Sequence, residues 1–199
     1  GHLPDGRPFM VMELLTGSDL WSLLQQSPRL SLDHTFQIVA QIGHALHHAH
    51  QHHVIHRDIK PANIFLSTPA GPFFAQGAVV RAKLLDFGLA VLRRNGKVED
   101  LHDGQIAGTP QYLAPEATWG QGADIDARSD QWALAVVTYR LLTGTLPFDL
   151  KENDSTLQLI MRIRGAPHAP LHQHLPDVPA HIERAVDRAL HKHPGKRHD

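Results

Sequence analysis

The fold of this chain is decided by the stretch His56-Arg57-Asp58-Ile59-Lys60-Pro61-Ala62-Asn63, which puts an acid, a base and an amide on one short turn. A carboxylate such as Asp58 can accept or steer the proton of a nucleophile. An ammonium such as Lys60 can offset negative charge on a group in transfer. The amide oxygen of Asn63 suits Mg²⁺. The stretch therefore has the residue types that phosphoryl transfer requires, because in that reaction a protein mainly positions groups and neutralises charge.

Two further motifs follow in order along the chain. Asp86-Phe87-Gly88 offers a second carboxylate for a metal ion, and its glycine gives the backbone the freedom that a mobile loop needs. The third motif is Gly108-Thr109-Pro110-Gln111-Tyr112-Leu113-Ala114-Pro115-Glu116. Each motif alone would be a weak indication, but the three together in this order are specific.

The three motifs resemble the catalytic loop, the metal-binding loop and the segment that closes the activation loop in protein kinases. Lys60 and Thr109 are typical of the serine/threonine class, and the third motif is most similar to that of the bacterial, eukaryotic-like members. The resemblance runs from Phe9 to Arg197. It implies a kinase-like large lobe of the α+β class, mainly α-helical with a small β hairpin, and a small N-terminal lobe that is mostly absent.

The resemblance also divides the chain. Residues 1–18 are expected to be the last small-lobe strand and the hinge, and residues 19–199 the large helical lobe. Gly1–Pro8 is too short to hold the glycine-rich loop, the strand lysine that holds phosphates, and the helix glutamate paired with that lysine. The chain is therefore either a fragment of a longer kinase or a truncated, inactive relative. We favour the fragment, because every large-lobe residue of the chemistry is intact.

The same resemblance assigns roles to individual residues. Catalysis would involve Asp58, Lys60 and Asn63, and Mg²⁺ would bind to Asn63 and Asp86. The residues expected to contact ATP are Met12, Glu13, Leu15, Asp19, Phe65 and Asp86. Thr109 would tie the platform for a protein substrate to the catalytic loop. Structural roles are implied for His56, Arg57, Phe87, Gly88, Glu116, Asp130 and Arg197.

Two of these structural roles are expectations about specific contacts. Glu116 should form a buried ion pair with Arg197. The carboxylate of Asp130 should accept hydrogen bonds from the backbone of the His56–Arg57 turn, because an ionised group on a buried helix needs partners.

The segment between Leu89 and Gly108 has the position and length of an activation loop but contains no Ser, Thr or Tyr. Gln105 stands where a regulatory phosphothreonine often lies in the family. Arg57 would normally bind that phosphate. We therefore expect that activity does not require phosphorylation of this loop, and that Arg57 contacts a loop carboxylate, for which the candidates are Glu99, Asp100 and Asp103.

The composition excludes several classes of protein. The formal net charge is −1 and no run of five like charges occurs, so the segment shows no electrostatic preference for nucleic acid or an anionic membrane. There is no cysteine, which excludes disulfides and thiolate metal sites. No apolar stretch of about 18 residues is present. We expect a cytoplasmic segment, and a membrane anchor outside these residues is compatible with that expectation.

Seventeen histidines are present, and several cluster at His47, His48, His50, His52 and His53. Imidazole suits zinc and related ions. The cluster lies at the end of a predicted helix, where its members point to different faces, and a closed structural zinc site needs four defined ligands. We therefore interpret the cluster as structural rather than as a closed zinc site with four protein ligands.

Apolar spacing predicts the main elements. Phe9–Leu15 is expected to be a buried strand, Asp19–Gln26 a short helix, and Ser31 the N-cap of a long helix. The apolar stripe of that long helix is expected to be Leu32, Phe36, Val39, Ile42, Leu46 and Ala49. Asn63–Leu66 and Ala82–Leu85 should form a hairpin that places Asn63 beside Asp86. Further helices are expected over Ser129–Leu142, Thr156–Ile163 and Pro179–Leu190.

Three functions are weighed. The first is transfer of the ATP γ-phosphate to Ser or Thr of protein substrates. The second is an inactive, kinase-like scaffold, against which the intact Asp58, Asn63 and Asp86 argue. The third is a small-molecule kinase, which shares an Asp-to-Asn loop of the same spacing. The set of Arg57, Lys60 and the third motif is typical of enzymes that act on proteins, so the first function is preferred.

Overall fold

The computed structural model describes residues 1–67, 73–74, 79–87, 110–119, 125–148 and 154–198. Helices dominate the described part, as the sequence predicts. They are α1 (Leu20–Gln26), α2 (Leu32–Gln51), α3 (Ala127–Thr143), α4 (Thr156–Gly165) and α5 (Ala180–Ala189). The strands are β1 (Ser18–Asp19), β2 (Ile64–Ser67) and β3 (Arg81–Leu84). Short 3₁₀ turns lie at Pro61–Asn63, Pro110–Tyr112, Glu116–Thr118, Leu171–Gln173 and Pro194–Lys196.

The predicted hairpin is confirmed and belongs to a larger sheet. β2 and β3 pair antiparallel, with Ile64 opposite Leu84 and Phe65 opposite Lys83. β1 pairs antiparallel with the other edge of β2, so the order is β1-β2-β3. The sequence did not predict β1, because two residues are too short to show an alternating pattern.

Two glutamines of α2 hold the start of β3. The Gln41 side chain donates to the Val80 carbonyl at 2.9 Å and accepts from the Ala82 N–H at 3.1 Å. The Gln37 Oε1 accepts from the Val80 N–H at 3.2 Å. These side-chain amides make the hydrogen bonds that a further strand would make, and they join the sheet to the central helix.

The long helix α2 begins where the sequence predicts, with Ser31 accepting from the His34 N–H. Its buried residues are His34, Thr35, Ile38, Ile42 and Leu46. Phe36 was predicted to be on this stripe, and that prediction is wrong, because Phe36 is 72% exposed. Successive helical residues are rotated by about 100°, so a face centred on Thr35 and Ile38 turns Phe36 towards solvent.

Helix α3 forms the centre of the hydrophobic core. Asp126 caps its start, and Gly144 with φ 78° ends it in the left-handed conformation that favours glycine. Ten of its residues are buried, including Trp132 at 0% exposure, so the helix is apolar on most sides as predicted. It packs against both α2 and α5.

The segment Phe9–Leu15 was predicted to be a buried strand, and this prediction is wrong. It has no regular secondary structure, and Val11 and Leu14 are 84% and 94% exposed. In the described part of the chain no strand pairs with it, and Leu15 is its one partly buried residue. An apolar run forms a buried strand only when neighbouring elements supply backbone partners and packing.

The remaining predicted helices agree with the structure to within a few residues. Asp19 is the N-cap of α1, and Ser155 with Gln158 forms a capping box at the start of α4. Pro179 occupies the N-cap position of α5. Among the residues that the structure describes, no helix combines the length and the apolar character that crossing a membrane requires.

Candidate active site

The carboxylate of Asp130 holds the His56–Arg57 turn. Asp130 lies in the first turn of α3 and is 1% exposed. Its Oδ2 accepts from the His56 N–H at 2.8 Å, and its Oδ1 accepts from the Arg57 N–H at 2.8 Å. The contact expected from the sequence is therefore present, and it fixes the backbone immediately before Asp58.

Two residues of the candidate site have unusual backbone geometry. Arg57 has φ 68° and Asp86 has φ 58°, in the left-handed region that non-glycine residues rarely adopt. Such a conformation costs roughly 1–3 kcal/mol and persists only when the surroundings enforce it. The two hydrogen bonds to the buried Asp130 supply that restraint at Arg57.

A third group contacts the same carboxylate, and the sequence reasoning missed it. His50, in the last turn of α2, places Nε2 at 2.8 Å from Asp130 Oδ2, and its side chain is 21% exposed. It is the one titratable side chain among the described residues within hydrogen-bonding distance of Asp130. Its position in the histidine cluster obscured this role, because spacing within α2 carries no information about a residue 80 positions away.

His56 joins the His56–Arg57 turn to the second motif. Its ring is fully buried, with Nε2 at 2.8 Å from the Leu85 carbonyl and Nδ1 at 3.3 Å from the Asp58 N–H. Since a carbonyl only accepts and an N–H only donates, the ring is neutral with its proton on Nε2. The ring also contacts Phe87 edge-on, with centroids 4.8 Å apart. His56 therefore supports the catalytic turn and the second motif at once.

Asp58, Lys60 and Asn63 converge as predicted. Lys60 Nζ donates to Asp58 Oδ1 at 3.0 Å and Oδ2 at 2.8 Å. Asn63 Nδ2 donates to the Asp58 carbonyl at 2.7 Å and to Oδ2 at 2.9 Å. Oδ1 thus accepts from Lys60 alone within the described residues, and the Asp58 side chain is 41% exposed. Among the described residues, Oδ1 is therefore the carboxylate oxygen with fewer hydrogen-bond partners.

The hairpin brings the two candidate metal ligands to the same end of the sheet. The Leu85 N–H donates to the Asn63 carbonyl at 2.8 Å, and Asp86 follows directly. Because Asn63 Nδ2 is engaged by Asp58, its Oδ1 is the atom left to bind a cation. An amide oxygen and the exposed carboxylate of Asp86 form a hard donor set that fits Mg²⁺.

The residues expected around ATP are not all brought together. Met12 is 67% exposed, on the segment that forms no strand. Glu13 is paired with Lys83 of β3 at 2.5 Å, and Phe65 lies in β2 opposite Lys83. Leu15 is half-buried. The adenine contacts expected from the sequence therefore stay predictions.

Asp19, expected to reach the ribose, caps helix α1. Its Oδ1 accepts from the Ser22 N–H at 2.9 Å and its Oδ2 from the Ser22 hydroxyl at 2.6 Å. Partial burial would raise the pKa of Asp19, but these bonds hold it below its usual value. The carboxylate is therefore ionised and fixed near the start of α1.

Glu116 and Arg197 form a buried, bidentate ion pair, as predicted. Arg197 Nη1 lies 2.7 Å from Glu116 Oε1 and Nη2 lies 2.8 Å from Oε2. Ser129 also donates to Glu116 at 2.8 Å. Burial would raise the pKa of Glu116, but the bonds from Arg197 and Ser129 outweigh it and lower the pKa. The pair joins the end of the third motif to the C-terminal part of the chain.

Several predicted residues lie outside the described part of the chain. These are Gly88, Thr109 and the loop carboxylates Glu99, Asp100 and Asp103. Arg57 is exposed, and its side chain makes no hydrogen bond to any described residue.

Comparison with known families decides where this arrangement belongs. The family model "protein kinase domain" matches residues 4–199. The chain belongs to the protein kinase family. The family predicted from the three motifs is therefore confirmed, and the kinase residues named above lie within the matched range.

Individual relatives give the same result. The kinase chain is 39% identical over 196 residues to the serine/threonine-protein kinase Pkn1 of Myxococcus xanthus, covering 96% of the chain and 26% of that protein. It is 35% identical over 190 residues to the serine/threonine-protein kinase PknA of Mycobacterium tuberculosis, covering 96% and 39%. For the serine/threonine-protein kinase pkn3 of Myxococcus xanthus the identity is 36% over 209 residues, covering 99% and 35%. The chain thus spans between a quarter and two fifths of these curated relatives.

Proposed function

We propose that the protein containing these residues transfers the γ-phosphoryl group of ATP to Ser or Thr hydroxyl groups of protein substrates. The observation that carries the proposal is the position of Asp58. Among the described residues, one of its carboxylate oxygens is engaged by Lys60 and Asn63 and the other by Lys60 alone. The names of the relatives support the class of acceptor.

In this proposal Asp58 orients the substrate hydroxyl and accepts its proton. Its Oδ1 is the acceptor, because Oδ2 already receives hydrogen bonds from Lys60 and Asn63. Lys60 holds the carboxylate in place and offsets negative charge as the phosphoryl group moves. Both roles depend on the backbone that Asp130 and His50 fix.

Asn63 and Asp86 would hold Mg²⁺, through Oδ1 and the carboxylate respectively. The bound ion supplies neutralisation of the phosphate charge. The protein's own contribution is the short β2–β3 hairpin, whose pairing keeps the two ligands at adjacent strand ends.

We further propose that the residues that bind the phosphates of ATP belong to a small lobe, which precedes Gly1 in the intact protein. We also propose that the protein acts in the cytoplasm. The apolar segment Phe9–Leu15 supports this proposal, because Val11 and Leu14 are 84% and 94% exposed. Residues 1–199 alone are then expected to bind MgATP weakly and to transfer phosphate very poorly.

The test compares substitutions in the full-length protein, using a generic basic protein as substrate and a separate measurement of MgATP binding. Asp58→Asn should abolish transfer and leave nucleotide binding nearly intact, whereas Asp86→Asn should weaken both. Phosphate should appear on Ser and Thr.

Full activity of the Asp58→Asn variant would overturn the proposal. MgATP binding without any transfer by the unsubstituted full-length protein would instead favour the inactive scaffold. Transfer to a small molecule, such as an aminoglycoside, but not to protein would favour the small-molecule kinase.

A further inference from the structure

A row of exposed histidines runs along the second half of α2. His44, His48 and His52 are spaced by four residues, so they occupy neighbouring turns of one helix face. All three are exposed, and His52 is the C-cap residue of the helix. None of them contributes to the contacts of the active site described above.

Two of these rings are close enough to share a ligand. The ring centroids of His48 and His52 are 4.6 Å apart and the rings are tilted by 51°. Metal–imidazole bonds are about 2.0–2.1 Å long, so one ion can bridge neighbouring rings after small side-chain rotations. Within the described residues, no group of three or more His, Cys, Asp or Glu side chains converges to hold a metal ion. The candidate is therefore a site with two protein ligands and water.

The tautomer of His52 is already suited to a metal. Its Nδ1 lies 2.9 Å from the His48 carbonyl, which only accepts, so Nδ1 carries the proton and donates it. In the neutral form of the ring the lone pair is then on Nε2, the atom that faces away from the backbone bond. Metal-binding histidines usually donate their other ring N–H to a carbonyl or carboxylate in this way. No hydrogen bond to a described residue engages the ring of His48.

We propose that His48 and His52 bind one divalent transition-metal ion of the Zn²⁺, Ni²⁺ and Cu²⁺ class. Imidazole suits these ions, and Mg²⁺ prefers oxygen ligands, so the site is chemically separate from the Asn63–Asp86 pair. It therefore does not depend on the proposed kinase activity.

The bound ion would fasten the last turn of α2. A cation at the C-terminal end of a helix is favoured by the helix dipole. His50, which contacts Asp130, lies between the two metal ligands on this same turn. The ion would thus stabilise the helix end from which the chain enters the catalytic turn.

The experiment uses protein without a polyhistidine tag and measures binding by titration calorimetry and melting temperature. Zn²⁺, Ni²⁺ and Cu²⁺ should each bind with one-to-one stoichiometry, Cu²⁺ most tightly, and Mg²⁺ should give no signal at this site. At ten times Kd the melting temperature should rise by roughly 3–6 °C. His48→Ala and His52→Ala should each weaken binding at least about tenfold, because the second ligand's effective concentration is lost.

His47→Ala is the matched control. His47 is exposed on the same helix, but its ring contacts Gln51 at 3.0 Å rather than another histidine. Alanine is the best helix former, so all three variants should fold. Binding that survives in both His48→Ala and His52→Ala, an equal loss in His47→Ala, or no Zn²⁺, Ni²⁺ or Cu²⁺ binding in the unsubstituted protein would each overturn the proposal.

Discussion

The buried pair of Glu116 and Arg197 offers the sharpest test of how this fold is held together. The perturbation is Arg197→Ala. It removes a guanidinium whose side chain is 0% exposed and leaves the Glu116 carboxylate, 11% exposed, without its main partner. We expect the substitution to destabilise the folded chain as a whole rather than to alter chemistry directly.

The magnitude follows from the bonds that the guanidinium makes. Arg197 also donates to the carbonyls of Arg128 at 2.8 Å and His191 at 2.9 Å, and its guanidinium lies 5.0 Å from the Trp132 ring. Removing one partner of a buried ion pair costs about 3–5 kcal/mol, a large share of the roughly 5–15 kcal/mol that stabilises a typical protein. For a chain of this size the melting temperature should fall by roughly 6–20 °C.

The assay is thermal and urea unfolding followed by circular dichroism, with two comparisons. Arg128→Ala breaks an ion pair with Asp126 that is far more exposed, and it should shift the melting temperature only slightly. The double variant Glu116→Leu with Arg197→Met removes both charges and should be more stable than Arg197→Ala, because no buried carboxylate is left alone. Equal melting temperatures for Arg197→Ala and Arg128→Ala would refute the reasoning.

Three further predictions concern other parts of the molecule. His50→Leu should lower kcat of the full-length protein with little change in KM for ATP, as measured by steady-state kinetics. His50→Gln keeps an N–H donor and should restore most of the lost kcat. A His50→Gln variant as inactive as His50→Leu would contradict the role of His50 in positioning Asp130. The stabilisation from the lowered pKa of Glu116 should be present above about pH 4.5 and be lost as the pH falls through the folded-state pKa. In urea unfolding, the free energy of unfolding of Glu116→Gln should therefore differ most from that of the parent protein at neutral pH. A difference that stays constant down to about pH 3 would contradict this prediction. In urea unfolding, Ile38→Ala should lower the free energy of unfolding by about 2–5 kcal/mol, and Phe36→Ser should change it little. The reverse order would contradict the assignment of the buried face of α2.

The sequence motif predicted the grouping of Asp58, Lys60 and Asn63, because few other residue types could carry out the chemistry expected of each. Asp58, Lys60 and Asn63 fall within six residues of one another, so a single turn must bring them together. The long-range contacts of Asp130 and of Glu116 were predicted only through the family resemblance, since nothing in local spacing connects residues 74 or 81 positions apart.

The failures share one physical cause, which is that burial depends on neighbours. Phe9–Leu15 has the composition of a buried strand, yet it stays exposed where no described element pairs with it. Phe36 fits an apolar repeat, but the helix face is set by Thr35 and His34, whose polarity hid their burial. His50 was assigned to the histidine cluster without a specific contact, because its partner Asp130 lies far away in the sequence.

The glutamines of α2 have a consequence for the behaviour of the chain in concentrated solution. Among the described strands β3 lies at the edge of the sheet. An uncovered edge strand is a template on which another polypeptide can add and begin aggregation. Gln37 and Gln41 occupy the backbone groups of Val80 and Ala82 that such a strand would use. The side-chain amides of Gln37 and Gln41 thus take the place of a neighbouring strand's backbone. They let the described three-stranded sheet end against α2 and keep a strand of another molecule from pairing with β3.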